Sequence, residues 1–194
     1  MIKGDFKHCK DLAQFDKEIR ILQETPDGKS HGPGYCNHHD EIIKLAPECE
    51  SYRELGVMQG ATSACAAVAG ILDQQLIDIE DYQWTPYKHL WDNFFWKDQR
   101  LKYVYHKKSS LTPQMINLPK VDLMLVDSMH NYGHVREELK IHAQTVNKYI
   151  IFHDTSKPTD QVYRAVTDFC MTNSAWQVIR RDENSVGFTT IKRI

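Results

Sequence analysis

Two short segments each place an acid beside an imidazole. Val126-Asp127-Ser128-Met129-His130 and Phe152-His153-Asp154 close apolar runs that begin at Val121 and Tyr149. Short apolar runs of this kind read as buried strands, and in an open parallel sheet ligands sit beyond the carboxyl ends of the strands. Asp127 and Asp154 then stand on one rim, where two carboxylates from neighbouring strand ends can share a hard divalent cation. His130 and His153 stand beside them, and an imidazole with an unperturbed pKa of about 6.5 can take a proton from a hydroxyl. Aspartates after strands commonly just cap turns or helices. The repetition of the pair on successive strand ends favours chemistry.

A second constellation lies upstream. Glu54-Leu55-Gly56-Val57-Met58-Gln59-Gly60 follows a strand-like run and opens a helical one, and glycines there let the backbone approach a ligand beside free helix N–H groups. Met58 stands where a dinucleotide fingerprint would carry its middle glycine. About twenty residues on, the next strand ends Asp78-Ile79-Glu80, where an acid can accept two hydrogen bonds from a ribose diol. Either acid suits, and Asp78 is preferred. The remaining histidines are weaker: His38-His39-Asp40 with Cys36 has the composition of a metal cluster but not the spacing of a zinc site, so a loop or a substrate-facing lid is expected. His130 and His134 lack an intervening H-E-x-x-H pattern, and Met115, Met124 and Met129 are expected to pack.

The elements that must position these residues follow from periodicity. A first helix is expected over residues 9–22, with Leu12, Phe15, Ile19 and Leu22 on one face, then a loop over 25–34 dense in turn formers and a short helix Asn37–Leu45 stopping at Pro47. Strands are expected at Ser51–Leu55, 75–79, 101–106, Val121–Val126, 149–152, 176–180 and 186–191, the last two as an antiparallel pair. Helices are expected at 62–71, 87–96, 135–145 and 160–171, and the aromatic stretch 82–96 is expected to pack. This alternation predicts an α/β, Rossmann-like, mostly parallel sheet with helices on both faces.

At 194 residues and 41% hydrophobic, the chain fits one domain over 1–194, with 1–47 as an N-terminal helical and loop extension. A formal net charge of −2 with scattered basic residues argues against nucleic acid or an anionic membrane as partner and for a small molecule. No apolar run approaches the length of a membrane span, and five cysteines without a C-x-x-C pair suit free thiols and a cytoplasmic location. A homo-oligomer is left open, since the first helix has an apolar face for its own body or for a second subunit.

From Ser51 onward the motifs resemble, in order, those of class I S-adenosylmethionine (SAM)-dependent methyltransferases, in particular the small-molecule O-methyltransferase group that includes cephalosporin-biosynthesis and macrolide-sugar enzymes. The matching segments are the Glu54 to Gly60 loop, Ile77-Asp78-Ile79-Glu80, Asp127-Ser128-Met129-His130 with Tyr132 and Val135, and Ile151-Phe152-His153-Asp154-Thr155, with Val162, Ala165 and Gly187-Phe188 in the tail. The resemblance implies seven strands with the last antiparallel, and SAM lying across the glycine loop. Glu54, Gly56 and Gly60 would border its methionine part and Asp78 its ribose, with Glu80 and Asp127 nearby. It also implies magnesium held by Asp127 and Asp154 with His153 beside them, and His130 as base for methylation of a sugar or phenol hydroxyl. The chain departs from the pattern at His153, where several relatives have a carboxylate, and at Thr155, where catechol enzymes have asparagine. One rival is a non-catalytic nucleotide-cofactor-binding protein, a sensor or docking module. A nicotinamide-dependent dehydrogenase ranks last because of Met58.

Overall fold

The computed structural model describes residues 9–24, 37–97, 99–156 and 160–194. Its strands are β1 (Ser51–Leu55), β2 (Asp73–Asp78), β3 (Lys102–Lys107), β4 (Val121–Val126), β5 (Val146–His153), β6 (Trp176–Asp182) and β7 (Phe188–Arg193). They form one seven-stranded sheet in the order β3-β2-β1-β4-β5-β7-β6. β1 to β5 pair in parallel, and β7 runs antiparallel to both β5 and β6. The sheet is the mostly parallel Rossmann-like one that the alternation predicts, with its last strand reversed.

Among the described residues six α-helices, α1 (Leu12–Glu24), α2 (Asn37–Leu45), α3 (Ala61–Val68), α4 (Lys88–Lys97), α5 (Tyr132–His142) and α6 (Gln161–Thr172), cover it. β4 is apolar on both faces because both are covered. Leu123 and Leu125 pack with Ile42 and Leu45 of α2 and Cys65 and Ala66 of α3. Met124 and Val126, pointing the other way, pack with Val135 and Leu139 of α5 and Val162 and Ala165 of α6. A third cluster joins Leu12 and Phe15 of α1 to Trp84, Tyr87 and Trp91, with the Phe15 and Tyr87 rings stacked at 5.3 Å. The aromatic stretch therefore packs, as expected, and α1 lies on α3 and α4 of its own chain.

Several boundaries shift for local reasons. β2 starts at Asp73 because that residue pairs with both Ser51 and Lys102. α5 starts at Tyr132 because the Asn131 side chain accepts the His134 N–H at 2.9 Å and caps it. α3 stops at Val68, short of Ile71, and Gly70 turns left-handed at φ 100°. The expected loop at 25–34 and the side chains of Ile19 and Leu22 lie outside the described residues. Cys9, Cys49 and Cys170 are free thiols, and among the described residues no helix is long and apolar enough to cross a membrane.

Candidate active site

β4 and β5 run in parallel with Val126 opposite Phe152, so Asp127 and His153 follow side by side at the carboxyl edge of the sheet. His153 Nδ1 lies 3.0 Å from Asp127 Oδ1 and 3.7 Å from Asp154 Oδ2. His130 bridges the same two carboxylates, with Nε2 3.2 Å from Asp127 Oδ1 and Nδ1 2.8 Å from Asp154 Oδ2. Asp154 takes a left-handed backbone, φ 56°, which aspartate tolerates better than most residues and which returns its side chain to the rim. The sequence-predicted quartet thus meets at one place.

Charge is dense here. Burial pushes the Asp127 carboxyl up, but the imidazoles of His153 and His130 outweigh it and hold the group well below the usual carboxylate range. Hydrogen bonds to Asp127 and Asp154 hold the His130 imidazole up at about 10, against its partial burial. Asp127 and Asp154 keep 21% and 16% of their side-chain surface exposed, so both remain reachable from solvent. One oxygen from each, with a His153 nitrogen, fall within 4.8 Å of one another. Two carboxylates and an imidazole fit a divalent cation: the oxygens suit magnesium or manganese, and the nitrogen widens the choice toward later transition metals.

The strand order reverses between β1 and β4, and the crevice of an open α/β sheet lies at such a reversal. Gly56 sits there at φ 87°, and a Cβ on it would come within 2.3 Å of the Asp127 carbonyl oxygen. Glycine is demanded by the close approach of the loops after β1 and β4. Asp78 ties the first of these down: its Oδ2 accepts the Val57 and Met58 N–H groups at 2.8 and 2.9 Å, and its Oδ1 accepts that of Glu80 at 3.1 Å. Met58 takes a left-handed φ of 48° in place of the fingerprint glycine. Glu54 is buried below, accepting from the Tyr52 hydroxyl at 3.0 Å and from the Ser63 hydroxyl; burial pushes its carboxyl up to about 8 against these bonds. Gly60 opens α3 at φ 80°, where a Cβ would stand 2.6 Å from the rings of Trp84 and Trp91. Glu80 is exposed, its carbonyl accepting the Tyr105 hydroxyl at 2.6 Å.

Some residues fall elsewhere than the sequence suggests. His38 and His39 are in neither a loop nor a lid but in the first turn of α2, buried, each with Nε2 3.2 Å from the Thr62 hydroxyl of α3. That shared hydroxyl gives the buried imidazoles a polar partner. The His38 ring lies 4.5 Å from that of His153, so α2 adds a histidine to the rim that no local spacing signals. Met115 and Met124 pack, but Met129 is 57% exposed. Ser128 and Ser110 both donate to Glu138 Oε1, at 2.6 and 2.5 Å, so a buried acid of α5 anchors the loop after β4 from within. His134 joins that network at 3.2 Å and not the rim, consistent with an unrelated role. The Thr155 hydroxyl is bonded to Thr189 of β7.

By sequence, no family model and no curated protein matches the chain. By structure, it is similar to solved methyltransferases. The SAH-bound methyltransferase of Podospora anserina superposes with a TM-score of 0.62 at 13% identity, over 96% of this chain and 88% of that one. A protein designated a candidate caffeoyl-CoA O-methyltransferase, from Staphylococcus aureus, gives 0.61 at 12% identity over 96% and 94% of the two chains. A candidate RNA methyltransferase from Pyrococcus horikoshii gives 0.56 at 14% identity over 81% and 85%. At such identities the likeness establishes a shared fold.

Proposed function

We propose that the chain is a SAM-dependent methyltransferase that methylates a hydroxyl of a small molecule, a sugar or a phenol, assisted by a divalent cation such as magnesium. The observation that carries this reading is the convergence of Asp127, His130, His153 and Asp154 at the strand-order reversal, in a fold shared with an SAH-bound methyltransferase.

The Gly56 loop, Glu54 beneath it, Asp78 with Glu80 and the Gly60 end of α3 are the groups that would hold SAM, whose sulfonium supplies an electrophilic methyl group. Asp127 and Asp154, with His153, are the groups that would hold the cation, which supplies charge that makes an acceptor hydroxyl more acidic. His130 as it stands keeps its proton, because two carboxylates hold it. A cation held by Asp127 and Asp154 would draw on the same carboxylates that hold the His130 imidazole up, so His130 would lie nearer its ordinary value, where it can serve as a base. With an acceptor bound, His130 would take the proton of its hydroxyl, and the oxygen would accept the methyl group that SAM supplies, leaving SAH. The chain's contribution is positioning and preorganised charge.

Purified protein given methyl-labelled SAM, panels of phenols and sugars, total RNA, and magnesium, manganese or a chelator tests the reading. Label should enter a small hydroxyl compound and fall away with the chelator. Label in RNA alone, or tight SAM binding with no labelled acceptor, would overturn it, the latter in favour of a binding module.

A further inference from the structure

We propose that Asp16, His39 and Cys65 form a second metal site, separate from the rim, that takes a zinc-class divalent cation. The three residues come from three helices, α1, α2 and α3, and one ligand atom of each lies within 4.8 Å of the other two. His39 Nδ1 stands 3.9 Å from Asp16 Oδ1. All three are buried, with 9%, 0% and 1% of their surface exposed.

The chemistry of the set selects the ion. Thiolate is a soft ligand and imidazole a borderline one, a pairing that suits zinc and that magnesium avoids. His39 is oriented for the task, since its Nε2 faces the Thr62 hydroxyl at 3.2 Å, and an Nε2–H donated there places the Nδ1 lone pair on the side of Asp16. Metal-bound histidines are held by an outer hydrogen bond of this kind. Charge also balances: a dication, one carboxylate and one thiolate sum to zero, which removes the main cost of burying them. On binding, the cation displaces the Cys65 thiol proton to solvent. That thiol now donates to the His39 carbonyl oxygen at 3.7 Å. Zinc bonds place tetrahedral ligands roughly 3.3–3.8 Å apart, so the donors need to close by about 1 Å. A fourth ligand would come from water or another donor.

Such an ion would pin α1 and α2 to α3, the helix that follows the glycine loop. It would also fix His38, the neighbour of His39, against His153. The sequence conceals the set because its members are far apart along the chain and follow no zinc spacing.

The test uses the whole chain, freed of metal with a chelator and titrated with cobalt and then zinc. A thiolate-to-cobalt charge-transfer absorption should appear and be displaced by zinc. At a hundredfold excess of zinc over its dissociation constant, stability should rise by about 2.7 kcal/mol, a Tm increase of roughly 5–10 °C for a chain of this size. Cys65→Ser should lose the absorption. Asp16→Asn, which leaves the thiol in place, should weaken binding by about 10-fold or more. Asp127→Asn, which disables the rim, should keep both the absorption and the Tm shift. No charge-transfer absorption, or an absorption and Tm shift that survive in both Cys65→Ser and Asp16→Asn, would overturn the site.

Discussion

On the proposed reading His130 would serve proton transfer and Asp78 cofactor placement, and their surroundings say how each should fail. His130 pairs with the two rim carboxylates, so His130→Ala should lower the rate of methyl transfer by about 10²- to 10⁴-fold while SAH affinity stays nearly unchanged. Turnover that survives intact would remove the base assignment. Asp78 holds the Val57 and Met58 N–H groups, and hydrogen bonds to a charged acceptor contribute about 1.5–3 kcal/mol. Asp78→Ala should therefore weaken SAH binding by about 10- to 100-fold and leave any residual turnover at saturating SAM less affected. Calorimetry and steady-state kinetics on the two variants separate the roles.

At the scale of elements, the loops after β1 and β4 behave as one unit because Gly56 lets them touch. Gly56→Ala carries both a left-handed backbone and a Cβ 2.3 Å from the Asp127 carbonyl oxygen, whereas Gly70→Ala carries a left-handed backbone with nothing within 4 Å of its Cβ. The second variant should lose about 1–2 kcal/mol. The first should lose clearly more and should lose SAH binding as well, as thermal denaturation and calorimetry would show; equal losses would mean that the loops do not need to touch. Strands were legible where an apolar run ended in glycine or aspartate, as at Leu55 and Val126. The true start of β5 at Val146 was not, because pairing with Val121 sets it. The rim quartet was legible from two strand ends. His38 was hidden, because nothing local to α2 says that it packs beside β5, and so was the tether from Glu138 to Ser128, which needs the turn of α5 to bring them together.

The whole molecule carries a buried polar network on the far side of Arg53. Its guanidinium donates to Thr145 at 2.7 Å and to Gln75 at 2.8 Å, and His142 Nε2 lies 2.9 Å from the Ser110 carbonyl oxygen. Burial, with Arg53 nearby, pushes the His142 imidazole down to about 4. The folded state therefore favours neutral His142, a contribution fully present above the unfolded value of about 6.5 and lost as pH falls through 4. The loss is on the order of 3 kcal/mol. His142→Gln should flatten the acid side of a Tm-against-pH curve between these values, and superimposable curves would contradict the burial argument. The crevice at the β1–β4 reversal is where an open α/β sheet binds its ligand, and the proposed reading puts SAM there. Calorimetric titration of the purified protein with SAM and with SAH, with NAD as control and with or without magnesium, tests that directly. Micromolar binding of both sulfur cofactors, no heat with NAD and a magnesium effect that Asp127→Asn abolishes are expected. No binding of either SAM or SAH would contradict the methyltransferase reading and leave the fold alone standing.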